Sequence, residues 1–278
     1  MDLMEFFELL WGTVLLRPYV FIFLISYLSI AILDMGLKRS LLFTVLAFII
    51  AFAAEYSSTR NGFPFGFYSY IETTRDQELW FSNIPFMDPL SFSFLAYVSY
   101  TLSLFLWCPL KQRGWDIRLI QTEAIRHSWR VILTGAVLMM LLDVVIDPVS
   151  FLGDRWFLGQ IYTYKEQGEY FNIPLTNFGG WFVVGFAILF SYTRIEAWLI
   201  RRGFRDMGMR QIPAQALLGP AVYFGVLVFT LGVTFYIGEM VMGLCGLGLA
   251  LLLLSLPLVK VFQTEGMRES AESPVIGE

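Results

Sequence analysis

The stretch WRVILTGAVLMMLLDVVIDPV, residues 129–149, decides how the chain is read. It is the length of one membrane crossing, which takes about 20 mostly apolar residues. Yet it carries Asp143 and Asp147, four apart and so on one helical face. Charge in hydrocarbon is costly, on the order of 3 kcal/mol for one residue at a helix centre, unless it is paired, wet or neutralised. A span that keeps two carboxyls therefore points to chemistry or transport.

Six further runs of this kind flank it: about 19–37, 39–56, 88–109, 177–198, 214–236 and 239–260. With 57% hydrophobic and 15% charged residues and a mean hydropathy of +0.64, the chain lies far from the roughly 25% charged content of soluble domains. The expectation is an all-α polytopic membrane bundle of about seven transmembrane helices, with six as the alternative. Residues 1–263 form one membrane domain in this reading, and 264–278 form a polar, disordered tail. The last two spans are separated by little more than Gly238, which predicts a tight antiparallel hairpin.

Lys and Arg mark the cytoplasmic side. With the N-terminus outside, the inner segments hold fourteen: Lys38, Arg39, Lys111, Arg113, Arg118, Arg126, Arg130, Arg194, Arg201, Arg202, Arg205, Arg210, Lys260 and Arg268. The outer segments hold five: Arg17, Arg60, Arg75, Arg155 and Lys165. The preferred topology is N-out/C-in. Trp11, Trp80, Trp156 and Trp181 then sit at the outer boundary, and Trp107, Trp115, Trp129 and Trp198 at the inner one. The start, MDLMEFFELL, is acidic where a secretory signal is basic. Phe6, Leu9, Leu10 and Leu16 roughly share a face suited to the membrane interface.

Several functions are disfavoured at once. Cys108 and Cys245 fall at opposite ends of this topology, so no disulfide is expected between them. His127 is the lone histidine, which speaks against a His-based metal site. No phosphate loop or dinucleotide fingerprint appears, and no nucleic-acid partner is expected.

The topology gathers polar groups at the outer end. Glu55 closes the second span and Asp88 opens the third. Asp143 and Asp147 lie in the outer half of the fourth, Asn177 opens the fifth and Glu239 the seventh. No comparable set is expected at the inner half. Plainer readings stand beside this one. Asp88 before Pro89 fits a helix cap, as does Asn177. Asp147 before Pro148 fits a helix end. Glu55 could pair with Arg60, and Glu239 could be interfacial. Asp34 and Lys38 read as a structural i,i+4 pair, and His127 as part of a solvated inner loop. The Gly-rich, aromatic loops at about 57–87 and 150–176 are expected to be structured over the membrane. Two poorly solvated carboxyls at Asp143 and Asp147 are not easily both ionised, and a carboxyl kept protonated near neutral pH is a competent general acid.

Two blocks then carry a resemblance: EYSSTRNGFPFGFYSY, residues 55–70, and DVVIDP, 143–148, continuing to GEYFNIPLTNFGGW, 168–181. Together they resemble the bacterial and archaeal carotenoid-biosynthesis membrane family, whose characterised members are carotenoid hydratases. The resemblance covers about residues 20–260. It implies catalytic roles for Glu55, Asp143 and Asp147, with Arg60, Tyr68, Tyr70 and Asn177 binding substrate; Asp88 and Trp181, at the same end in this topology, are further substrate-binding candidates. The implied reaction adds water to the terminal C1=C2 bond of an acyclic carotenoid and needs no metal or other cofactor. The implied partners are a hydrophobic polyene, water, the lipid bilayer of the plasma membrane and other membrane enzymes of the carotenoid pathway. A carotene cyclase using the same cation and a proton-coupled transporter are the alternatives. A prenyltransferase is disfavoured by the scarcity of outer Lys and Arg.

Overall fold

The computed structural model describes residues 2–114, 116–204 and 212–272. The expectations for Trp115, Arg205, Arg210 and the last six residues of the tail lie outside the described residues.

The first helix, α1 (Leu3–Leu16), starts at a capping box: Glu5 N donates to the Asp2 side chain at 2.8 Å and Asp2 N to the Glu5 side chain at 3.2 Å. Pro18 forces the break that follows and opens α2 (Pro18–Met35) at its first position. Gly36, at φ 83°, turns the chain into α3 (Leu37–Asn61), and left-handed Gly62 ends it. Next come β1 (Tyr68–Tyr70), β2 (Trp80–Phe81) and β3 (Ile84–Pro85), then α4 (Met87–Trp107). A hairpin of β4 (Leu110–Arg113) and β5 (Asp116–Leu119) leads through α5 (Glu123–Arg126) to α6 (Trp129–Phe151). Strand β6 (Tyr162–Tyr164) precedes α7 (Leu175–Arg201), and α8 (Leu218–Tyr236) is followed by α9 (Met240–Glu272).

Among the described residues, seven helices are long and apolar enough to cross a membrane: α2, α3, α4, α6, α7, α8 and α9. The chain is an all-α multi-pass membrane bundle, as the sequence predicts. The segment from 264 to 272, expected as part of a tail, continues α9. The turn at Gly238 between α8 and α9 is as tight as anticipated.

Helix α4 is the centre of the bundle: 78% of its apolar window is buried, against 28% for α2, α3 and α9. It packs on α2, α3, α6 and α8. Its hydroxyls are satisfied at close quarters, Ser93 on Leu90 O at 2.6 Å and Ser103 on Val131 O at 2.7 Å. Gly135 lets α6 approach: a Cβ there would stand 2.5 Å from the Leu189 side chain. Apolar residues on the outer helices, such as Ile22, Val45 and Leu251, are exposed, as a lipid-facing surface requires.

Successive spans run in opposite directions. The C-termini of α3 and α6 therefore meet the N-termini of α4 and α7 at one end of the bundle. The two long loops close over that end as structured elements, joined by antiparallel pairing of β1 with β6. The hairpin β4–β5 lies at the opposite end.

Candidate active site

Tyr68-Ser-Tyr70 and Tyr162-Thr-Tyr164 are period-two patterns, so in strands their tyrosines share a face. The register sets Tyr68 opposite Tyr164 and Tyr70 opposite Tyr162. Four phenols thus point down into the bundle, while Ser69 and Thr163 are exposed. Burial, and then the carboxyls beneath, hold these four phenols well above their ordinary pKa range, so they stay protonated and donate.

Below them lie the acids. Asp147 accepts from Tyr162 at 2.5 Å, from Tyr164 at 3.1 Å and from Asn177 Nδ2 at 2.9 Å. The same Asn177 amide donates to Asp143 Oδ2 at 2.7 Å, so one residue of α7 bridges both acids of α6. Tyr70 links α3 to α4: its hydroxyl lies 3.1 Å from Glu55 Oε2 and 2.5 Å from Asp88 Oδ2. The remaining oxygens, Asp143 Oδ1 and Glu55 Oε1, are buried without a partner. Among the described residues, no lysine or arginine pairs with these four carboxyls. Trp181 stacks on Phe92, with ring centroids 4.2 Å apart, and Phe65 packs beside both.

Two cavities meet at this cluster. A polar one of about 50 Å³ is lined by Glu55, Asp88, Asp147, Asn177 and the four tyrosines. It has room for a few water molecules. An apolar one of about 120 Å³ opens between α2, α4, α6 and α8, walled by Tyr19, Phe23, Phe94, Trp156 and Phe229. Asp143 lines the apolar cavity, while Asp88, Asp147, Tyr162 and Trp181 border both.

The fold brings together Glu55, Tyr68, Tyr70, Asp88, Asp143, Asp147, Asn177 and Trp181. It does not bring Arg60. That side chain is exposed, stacks on Tyr56 and donates to Asn83 at 2.9 Å and to Ser82 at 3.3 Å. Glu239 is likewise elsewhere, paired with Arg155 on the surface. The capping readings also give way. Asn177 is the third residue of α7, not its cap; Asp88 is inside α4; and α6 continues through Pro148 to Phe151. Tyr162, Tyr164, Phe65 and Phe92 were not foreseen. The signal for the first two was the second Tyr-x-Tyr, a match for the one at 68–70.

The opposite end corrects a further expectation, for it holds a polar network of its own. Glu196 on α7 is buried and bound by Arg39 at 3.3 Å, by Arg126 and by His127 Nε2 at 2.9 Å. His127 is thus tied to a carboxylate and not a free loop residue. Asp34 accepts from Tyr97 and from Gln215, both at 2.6 Å, and so fastens α2 to α4 and to the turn before α8. Arg17 and Glu78 form another buried pair, 3.1 Å apart, which locks the α1–α2 junction to the first long loop. Cys108 and Cys245 are both free thiols.

Seven apolar helices, with a cluster of carboxyls and phenols and an apolar cavity at one end, define a multi-pass membrane protein. The chain belongs to the carotenoid biosynthesis protein family, whose model matches residues 16–254. Its role therefore lies in carotenoid biosynthesis. No curated protein and no solved structure matches it.

Proposed function

We propose that this protein is a carotenoid hydratase, adding water across the terminal C1=C2 bond of an acyclic carotenoid. The observation that carries the reading is the meeting of the two cavities at Asp147, with Asp143 beside it on the apolar side. A polyene end fits the apolar side, and water fits the phenol-lined side.

The hydrogen bonds suggest a division of labour. Three donors on Asp147 suit an ionised carboxylate. Asp143 has one donor and a buried oxygen without a partner on the apolar cavity, which suits a protonated acid facing an alkene. Asp143 gives its proton to the less substituted alkene carbon, and the C=C π bond becomes a C–H bond. The tertiary cation at the other carbon is stabilised by Asp147 and by ring faces such as Trp181. Water attacks that carbon from the polar cavity, and Glu55, through Oε1, takes the proton it loses. The product is a tertiary alcohol. Asn177 positions both aspartates, and Tyr68 and Tyr70 line the water side. The Lys/Arg bias supports placing the site in the outer half of the plasma membrane.

Expression in a host that makes an acyclic carotenoid tests this. A new pigment heavier by the mass of one water is expected, and it should vanish in an Asp143→Asn variant that reaches the membrane at the same level. A cyclic product of unchanged mass would instead mean that an internal double bond captures the cation.

A further inference from the structure

One turnover of this scheme leaves two groups in the wrong state. Asp143 has lost a proton and Glu55 has gained one. The next turnover needs that proton moved from Glu55 on α3 to Asp143 on α6, under a roof of paired strands. The contacts of Tyr70 supply a route.

The Tyr70 oxygen lies within hydrogen-bond distance of two carboxyls, 3.1 Å from Glu55 and 2.5 Å from Asp88. A phenol has one proton to donate. Both contacts are hydrogen bonds only if one carboxyl donates to the phenol oxygen while the phenol donates to the other. With Glu55 as the group that takes a proton from water, it is the donor to the phenol oxygen and Asp88 is the acceptor. The arrangement is therefore Glu55–H to Tyr70, and Tyr70–H to Asp88. That is the state reached once Glu55 has deprotonated the attacking water and its carboxyl has turned to carry the new proton from the Oε1 position to the one facing Tyr70. Asp88 in turn borders both cavities and shares the apolar one with Asp143.

We infer that Tyr70 and Asp88 form a proton-return relay that resets the site between turnovers. Glu55 passes its proton to the Tyr70 oxygen as Tyr70 passes its own to Asp88. Asp88 then delivers a proton to Asp143 across the cavity they share. One proton leaves Glu55, one arrives at Asp143, and Tyr70 and Asp88 end as they began. No oxidant, reductant or exchange with bulk solvent is involved. The inference rests on the division between Asp143 as acid and Glu55 as base proposed above.

A reset step has a kinetic signature that a structural role lacks, because the first turnover does not need it. The test uses the full chain in lipid nanodiscs with an acyclic carotenoid, following product from the first turnover onward. In Tyr70→Phe, a burst of one product per protein is expected, followed by turnover about 100-fold slower than that burst, the scale of one lost proton transfer, where the wild type shows no such split. Asp88→Asn should show the same split, and Asp88→Glu should restore steady turnover; these carry the test if Tyr70→Phe does not accumulate. Wild-type steady turnover in Tyr70→Phe or Asp88→Asn overturns the relay, as does an equal fall in first and later turnovers. Hydration is read separately from product mass. A wild-type product without added water ends the hydratase reading, yet a cation that surrenders its proton to Glu55 needs the same reset, and the burst still decides the relay.

Discussion

Two acid groups of the bundle, Glu196 near one end and the four carboxyls at the cavities near the other, are treated in opposite ways. Glu196 is enclosed by two guanidinium groups and an imidazole, so its charge is answered by charge. Glu55, Asp88, Asp143 and Asp147 are answered by phenols and one amide. A buried ion pair is stable because neither partner can change state cheaply. A carboxyl held by neutral donors can take up or release a proton without stranding a cation. The first arrangement fastens helices, as Asp34 also does with neutral partners; beside the two cavities the second suits acids that exchange protons.

Substitutions can break that contrast. Asp143→Asn is expected to have the largest effect, a loss of product of at least about 1,000-fold, with the protein still folded; pigment chromatography against membrane protein level checks it. Glu196→Ala should do the reverse. It leaves Arg39 and Arg126 buried beside no anion, which costs about 3 kcal/mol or more. Thermal unfolding in detergent should show the drop, while activity per folded molecule stays near wild type. Equal damage to activity from both variants would erase the distinction.

Gly180→Ala sharpens it. A Cβ there would meet the Phe65 ring at 2.6 Å and the Pro64 carbonyl oxygen at 2.7 Å. The first long loop must lift, and overpacking of this kind costs about 1–3 kcal/mol. Turnover should fall about tenfold, more than the change in unfolding temperature alone explains. The smallest effect is expected at Arg60. Because this side chain contacts Ser82, Asn83 and Tyr56 on the exposed surface, Arg60→Gln should keep turnover within about threefold.

Arg60 also shows where sequence reasoning ran out. The resemblance carried Arg60 into the site, but the end of α3 points the arginine outward to Ser82 and Asn83. By contrast, Asp143 and Asp147 were legible because an i,i+4 pair inside an apolar run has one meaning under helical geometry. The seven spans were legible for the same reason, length and hydropathy being local properties. What was not local was missed. Strand β1 meets β6 across 92 residues at the pair Tyr70 and Tyr162, so Tyr162 and Tyr164 joined the site only through tertiary pairing. Glu196, Arg39 and Arg126 looked like boundary charges, because membrane ends are rich in them and nothing in the sequence says which ones face inward.

The bridge from Asn177 to both aspartates bears on how the protein enters the membrane. As α6 leaves the ribosome, its two acids lack their amide partner, which is 30 residues away on the next span. Two unassisted aspartates raise the insertion cost of a helix by at most about 7 kcal/mol. Helix α6 is thus a poor candidate for release into lipid alone and a good one for insertion as a hairpin with α7. Insertion as that hairpin would bring the Asn177 amide to both acids in one step.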